Sequence, residues 1–101
     1  MLDREFFLGF IKIHILYHAA KDSIYGADIA EELARHGYII SPGTLYPTLH
    51  RLTREGFLTC KVRVVAGRVR KYYQATPAGK RILKESRQKI RELVDEVMEG
   101  E

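Results

Sequence analysis

Basic side chains dominate the middle of this 101-residue chain. Between Leu33 and Lys84 the sequence has eleven lysines and arginines and a single acid, Glu55, whereas the rest has six basic and twelve acidic residues. Clustered cations are the groups that bind phosphates, because each contact releases counterions from a polyanion. The charge distribution therefore predicts one face that binds a polyanion rather than a uniformly solvated surface.

Few other residues offer a site for chemistry. His14 and His18 have the spacing of a metal-binding pair on a helix, but no Cys or Asp lies nearby in the sequence to complete a site. Cys60 precedes Lys61, which would favour a redox-sensing thiolate; packing as a small apolar residue inside the hairpin is the favoured alternative. We find no Walker loop, no Ser-His-Asp order and no paired carboxylates. We therefore expect no enzyme activity, no metal and no cofactor.

Apolar periodicity and helix start and stop signals predict four helices. The first covers residues 3–20 and is apolar almost all round, so it must be covered on more than one side. The second covers residues 25–34. The third begins with Ser41 as N-cap and Pro42 at the first helical position and runs to residue 55. Thr76 and Pro77 repeat this signal before the fourth helix, which reaches about residue 98.

Two strands are expected between the third and fourth helices. Leu58, Cys60, Val62 and Val64 alternate with polar residues, which is typical of a strand with one buried face. Residues 66–68 are the predicted turn, residues 69–75 the returning strand, and residues 38–40 a candidate short strand. The predicted fold class is mainly α with a small β-hairpin (α+β), a winged helix-turn-helix followed by a C-terminal dimerisation helix.

The third helix has an apolar face and a face suited to a DNA groove. Leu45, Leu49 and Leu52 share the side that must face the core. The other side has small residues near the helix start and cations near its end, so hydroxyl, amide and guanidinium groups can contact phosphates and base edges. We expect base-edge contacts from Thr44, Thr48 and His50. The full set of expected DNA contacts on this helix is Ser41, Gly43, Thr44, Tyr46, Pro47, Thr48, His50, Arg51 and Arg54.

The predicted hairpin supplies a second group of cations. A basic hairpin after a helix-turn-helix can lie along the phosphate backbone beside the groove; an edge hairpin that its charges protect from aggregation is the alternative. A winged-helix module for protein–protein contact is the main alternative function, although it needs no basic recognition face. The expected DNA contacts on the hairpin are Arg63, Arg68, Arg70 and Lys71, with Lys61 beside them.

Several motifs closely resemble the PadR family of transcriptional regulators. They are Tyr25-Gly26, the Ser-Pro-Gly-Thr-Leu-Tyr-Pro run at residues 41–47, Glu55-Gly56, and the Arg-Lys-Tyr-Tyr run at residues 70–73. The resemblance spans about residues 5–83. It implies a winged-helix homodimer that represses nearby genes and often releases DNA when a small molecule binds. The single helix after the wing is similar to the short subgroup of the family.

The last helix is the expected dimerisation element. Leu83, Ile90 and Val97 are seven residues apart and Leu93 is offset by three, as in a short coiled-coil seam; packing back on the same domain is the alternative. We therefore expect a DNA-binding domain over residues 1–76 and a dimerisation helix over residues 77–101, within one compact unit. The expected dimer contacts are Phe6, Phe7, Phe10, Leu83, Ile90, Leu93, Val94 and Val97.

The family resemblance also implies a small hydrophobic effector between the first and last helices. Because the last helix has no aromatic residue, we expect any such site to be aliphatic-lined and weak; phenylalanines that simply fill the dimer core are the alternative. No apolar run is long enough for a membrane and the N-terminus lacks a signal-peptide pattern. With a single cysteine, a cytoplasmic chain without a membrane partner is expected.

Overall fold

The computed structural model describes residues 4–100 as four α-helices and a three-stranded antiparallel sheet. The sheet has the strand order β1-β3-β2, so β3 is central. The predicted α+β fold class is confirmed, and the predicted start of the first helix at Asp3 lies outside the described residues. The elements are α1 (Arg4–Lys21), β1 (Ile24–Tyr25), α2 (Gly26–Arg35), α3 (Pro42–Arg54), β2 (Leu58–Val65), β3 (Arg68–Ala75) and α4 (Pro77–Val94), which continues into a π-helical turn (Asp95–Glu99).

One apolar core joins all four helices to the base of the hairpin. The side chains of Ile11 and Ile15 in α1 are fully buried, and the α3 leucines predicted to face inward are buried with them. Burial of each such side chain stabilises the fold by about 1.5–3 kcal/mol. Packing of the α3 leucines in this core therefore determines which face of α3 is left exposed to solvent. The other large core members are Leu16, Ile29, Leu33, Leu45, Leu49, Leu52, Leu58, Tyr73 and Leu83.

The start of α4 is held against the start of the hairpin. Thr76 is its N-cap, because its hydroxyl oxygen accepts a hydrogen bond from the Gly79 amide at 3.0 Å. The same hydroxyl donates to the Gly56 carbonyl at 2.6 Å. A Cβ atom on Gly79 would lie 2.2 Å from the Phe57 carbonyl oxygen, so only glycine fits there. These contacts fix the start of α4 against the start of the hairpin.

Two strand predictions are corrected by the structure. Residues 38–40 form no strand; the third strand is β1, in which Ile24 pairs with Tyr73. Of the alternating apolar residues of β2, only Leu58 is buried, and Val62 and Val64 are 60% and 71% exposed. The reason is that the hairpin projects beyond the core, so the outer part of its apolar face has no element to pack against. In β3 the inward tyrosine is Tyr73, which is 4% exposed.

The hairpin closes in a two-residue turn at Ala66 and Gly67. Their φ angles are 51° and 76°, and Val65 pairs directly with Arg68. Positive φ at both central residues is typical of the type I′ turn, whose twist matches that of the flanking strands. Alanine is strained in this conformation because its Cβ approaches the neighbouring carbonyl oxygen. The observed turn is therefore one residue shorter than the predicted turn at residues 66–68, because Arg68 already belongs to β3.

The second half of α4 leaves the core. Leu83 is 5% exposed and belongs to the core of its own chain, which argues against its expected role as a dimer contact. Beyond it, the apolar residues Ile90, Leu93, Val94 and Val97 are all exposed. Within residues 4–100, no helix has both the length and the apolar character that a membrane crossing requires.

Candidate nucleic-acid interface

The side of α3 away from the core is open to solvent. Thr44 is half-buried, and the rest of this face is exposed. Pro47 lies inside the helix on the exposed face, where it lacks the N–H that would bond the Gly43 carbonyl. This face therefore has small side chains near the start of the helix and cations near its end. Its exposed members are Ser41, Gly43, Tyr46, Pro47, His50, Arg51 and Arg54.

Thr48 departs from the sequence prediction. Its side chain is 8% exposed, and its hydroxyl donates a hydrogen bond to the Thr44 carbonyl oxygen at 2.8 Å. A hydroxyl turned back onto the helix in this way has no free donor for a base edge. Thr48 thus lies on the core side of the border between the two faces, which argues against the expected contact with the bases.

One side of the hairpin carries paired cations and aromatic rings. The register places Arg63 opposite Arg70 and Lys61 opposite Tyr72. The Arg70 guanidinium carbon lies 4.6 Å from the centre of the Tyr25 ring, and that of Arg63 lies 5.1 Å from the centre of the Tyr72 ring. Cation–π contacts of this kind hold an arginine without neutralising it. The two guanidinium groups are thus oriented and still charged.

The Arg70 Nε atom is buried and has no hydrogen-bond partner. A buried donor left unsatisfied costs about 1–3 kcal/mol. Within residues 4–100, no ion pair involves a cation of α3 or of the hairpin. The basic groups of this region therefore keep their full charge for an external anion.

A cleft of about 540 Å³ lies between the hairpin and the start of α2. Tyr25 is the N-cap residue of α2, and its side chain makes no capping hydrogen bond. Helix starts favour anions because their first N–H groups are unsatisfied and carry partial positive charge. Positive groups therefore enclose the cleft from two sides. It is lined by Tyr25, Gly26, Ala27, Tyr46, Arg68, Val69, Arg70 and Lys71.

Tyr46 lies directly over the start of α2. A Cβ atom on Gly26 would come within 2.7 Å of both the Tyr46 ring and its hydroxyl oxygen. Gly26 is buried, and the Tyr46 side chain can lie this close to α2 because position 26 has no side chain. Sequence reasoning gave Gly26 no role at the site, since the two residues are twenty positions apart.

A second groove of about 410 Å³ separates α3 from the hairpin. Its lining includes Tyr46, His50, Cys60, Lys71 and Tyr73. Cys60 is exposed, so the expectation that it packs inside the hairpin is wrong. Burial, and secondly the neighbouring Cys60 thiol, raise the pKa of Tyr73 to about 12, so that its hydroxyl stays protonated. Because Lys71 also lines this groove, it lies on the side of β3 that faces α3.

Comparisons with known proteins identify the family to which the chain belongs. The model of the family described as "Transcriptional regulator PadR-like family" matches residues 15–85. The chain is similar to the transcriptional regulator Rv3488 of Mycobacterium tuberculosis (strain ATCC 25618 / H37Rv), with 52% identity over 98 residues, which is 97% of this chain and 92% of that protein.

Solved structures of PadR-family regulators superpose well on this chain. A PadR family transcriptional regulator from Eggerthella lenta DSM 2243 superposes with a TM-score of 0.81 at 32% identity, over 92% of this chain and 82% of that one. A PadR-like transcriptional regulator from Bacillus cereus strain ATCC 14579 superposes with a TM-score of 0.79 at 28% identity, over 96% and 99% of the two chains. The chain is a member of the PadR-like family of transcriptional regulators and is not an enzyme.

Proposed function

We propose that this regulator is a repressor that binds a specific sequence in double-stranded DNA as a homodimer. The observation that carries the proposal is the open face of α3 beside a hairpin whose arginines are oriented but unpaired. An α-helix fits the major groove of B-DNA, and a basic hairpin can follow the adjacent backbone. The proposed orientation therefore has α3 in the major groove and β2–β3 along the phosphates.

Phosphate contacts are proposed for the cleft between the hairpin and the start of α2. Arg70 has a buried Nε without a partner, and Lys71, Arg68 and the Tyr46 hydroxyl line the same cleft. A phosphate oxygen would satisfy the arginine donor and meet the α2 N–H groups at once. Arg63, on the same side of the hairpin as Arg70, would extend this contact along the strand.

Base-edge contacts are proposed for the exposed part of α3. Thr44 and His50 can donate and accept hydrogen bonds, and Arg51 and Arg54 can bind guanine or phosphate. Gly43 and Pro47 have little bulk and let the helix approach the groove floor. Ser41, at the helix start, is proposed as a phosphate contact. Thr48 is left out of this set, because its hydroxyl is bonded to its own helix.

Homodimerisation is proposed through α1 and the second half of α4. Ile90, Leu93, Val94 and Val97 are exposed although apolar, and a second copy would remove this stripe from water. Phe10 and Phe6, which are 47% and 65% exposed, would join them. Phe7, by contrast, already packs against Tyr38 of its own chain, with 5.3 Å between the ring centres. Residues 77–101 would thus act as a dimerisation helix on the DNA-binding part formed by residues 1–76.

A small hydrophobic effector is proposed to bind between α1 and α4. A shallow groove of about 340 Å³ lies there, lined mainly by aliphatic residues that include Ile13, Ile82, Ile90 and Leu93. Covered by a second copy, it would become an enclosed aliphatic pocket of the size that small ligands occupy. We expect affinities of about 1 µM or weaker for planar compounds, because the groove offers no stacking partner on α4.

Selection of DNA fragments by the purified protein tests the proposal. We expect a pseudo-palindrome with half-sites about one helical turn, roughly 10 bp, apart. Thr44→Ala should change the selected motif, whereas Thr48→Ala, its matched control one turn away, should return the wild-type motif. A protein that selects no motif and shifts no duplex at low salt would be a protein-interaction module instead.

A further inference from the structure

Three of the four histidines form a cluster away from the proposed DNA-binding surface. His14 and His18 lie one turn apart on α1, and His36 caps the C-terminus of α2. One nitrogen from each of the three rings lies within 4.8 Å of the others. The sequence alone offers only the pair on α1; packing of α2 against α1 supplies the third ring.

The surroundings of the cluster hold the rings in place. The rings of His14 and His36 are 4.7 Å apart between centres, and Tyr38 packs edge-on against His14 at 5.2 Å. A carboxylate oxygen of Glu32 lies 3.9 Å from His18 Nε2. Burial, and then the neighbouring His36, lower the pKa of His14 below its usual value of 6.5.

We propose that His14, His18 and His36 bind one divalent transition-metal ion, with Glu32 as the fourth donor. Three imidazoles and a carboxylate favour Zn²⁺, Co²⁺, Ni²⁺ or Cu²⁺ over Mg²⁺ or Ca²⁺, which prefer all-oxygen sites. Tetrahedral bonds of about 2.0–2.1 Å to zinc place ligand nitrogens about 3.4 Å apart. The rings must therefore close by about 1.4 Å or less, which a turn of the exposed His36 side chain can supply.

The position of the site gives metal binding a structural consequence. His36 is followed directly by residues 37–41, the connection that leads into α3. A metal ion bound to both α1 and His36 would tie this turn to α1. If the DNA-binding role proposed above holds, the ion would fix the angle at which α3 is presented, so occupancy would alter operator affinity.

Titration of the tag-free, chelator-treated protein with Co²⁺ tests the site without DNA. We expect a visible absorption band of tetrahedral cobalt that saturates at one equivalent per chain and is displaced by Zn²⁺. His36→Ala, at an exposed position, should weaken binding by at least about 100-fold, and Glu32→Gln by about 10-fold. His50→Ala removes the fourth histidine, outside the cluster, and should bind Co²⁺ with unchanged stoichiometry and affinity.

Circular dichroism of each variant checks that the fold is retained. The absence of a saturable band, or equal affinity in folded His36→Ala and wild-type protein, would overturn the metal site. Because no DNA is present, either result leaves the proposed regulator function untouched. Conversely, a protein that binds Co²⁺ at this site but shifts no duplex would retain the metal proposal and lose the DNA-binding one.

Discussion

The hairpin and α4 both begin in the core and both leave it, but they expose different side chains. Leu58 is the only buried residue of β2, and no residue of α4 after Leu83 is buried. The outer hairpin exposes lysines and arginines among scattered valines, whereas the outer half of α4 and the π-helical turn after it expose a stripe of Ile, Leu, Val and Met. Cations attract phosphate, and an apolar stripe attracts another apolar surface. The two projecting regions therefore have separate proposed partners, DNA and a second copy of the chain.

The largest effect is expected where α4 is still in the core. Leu83→Ala should lower the free energy of unfolding by about 2–5 kcal/mol, because it leaves a cavity among close-packed residues. Val62→Ala, on the exposed hairpin face, should change it by less than about 0.5 kcal/mol. Urea denaturation at one fixed protein concentration measures both values. Similar losses in the two variants would mean that the hairpin face is covered in solution.

Beyond the core, Leu93→Asp should separate the two copies of the proposed dimer without unfolding either. An unpaired charge in a buried apolar seam costs several kcal/mol, which is enough to dissociate a small interface. Gln88→Asp adds the same charge to the opposite side of α4 and should leave the dimer intact. Sedimentation velocity checks this, with circular dichroism as a test of folding. A dimeric Leu93→Asp protein would rule out the interface on α4.

Charge removal on the hairpin should affect DNA binding and leave the dimer unchanged. Arg70→Ala and Lys71→Ala should weaken binding to every duplex and each reduce the log–log salt slope by about one unit. Lys80→Ala, which removes a cation of α4 outside the proposed surface, should keep the wild-type slope. Fluorescence anisotropy over a salt series gives these values. Wild-type slopes in both hairpin variants would disprove the proposed phosphate contacts.

The smallest effect is expected at the hairpin tip. Ala66→Gly removes the Cβ that is strained at φ 51° and should stabilise the turn by about 0.5–1 kcal/mol. Amide hydrogen exchange at Val65 and Arg68 should then slow about three-fold. Gly67→Ala, which adds a Cβ at φ 76°, should speed the same exchange. Identical rates in all three proteins would show that the tip opens independently of its turn conformation.

Local chemistry made much of the fold predictable from the sequence. The start of α3 follows from Pro42 at the first helical position, although the side chain of the N-cap residue Ser41 makes no capping hydrogen bond. Its inward face follows from three leucines at helical spacing. Strand β1 was missed because two residues carry no periodicity of their own; Ile24 becomes a strand residue only by pairing with Tyr73. Alternation in β2 correctly predicted a strand, but it carries no information on whether a partner layer exists above Val62.

The candidate sites show the same division. The exposed cations of α3 and the hairpin follow from charge clustering, which is a property of the sequence. The Thr48 side chain points inward because of the rotamer in which its hydroxyl bonds the Thr44 carbonyl oxygen. Helical periodicity alone places Thr48 only near the border between the buried and the exposed face of α3. His36 joins the two α1 histidines through the packing of α2 on α1, which no local pattern can specify.

The contact of Gly26 with Tyr46 has a consequence for altering which DNA this protein recognises. Since a methyl group at position 26 would collide with the end of the Tyr46 side chain, a larger residue at 26 requires that side chain to move or to be replaced by a smaller one. A library that randomises the open face of α3 can therefore pair smaller residues at 46 with larger ones at 26. Compensating pairs of this kind would tilt the recognition helix as well as change its side chains, and so provide an adjustment of docking angle separate from base preference.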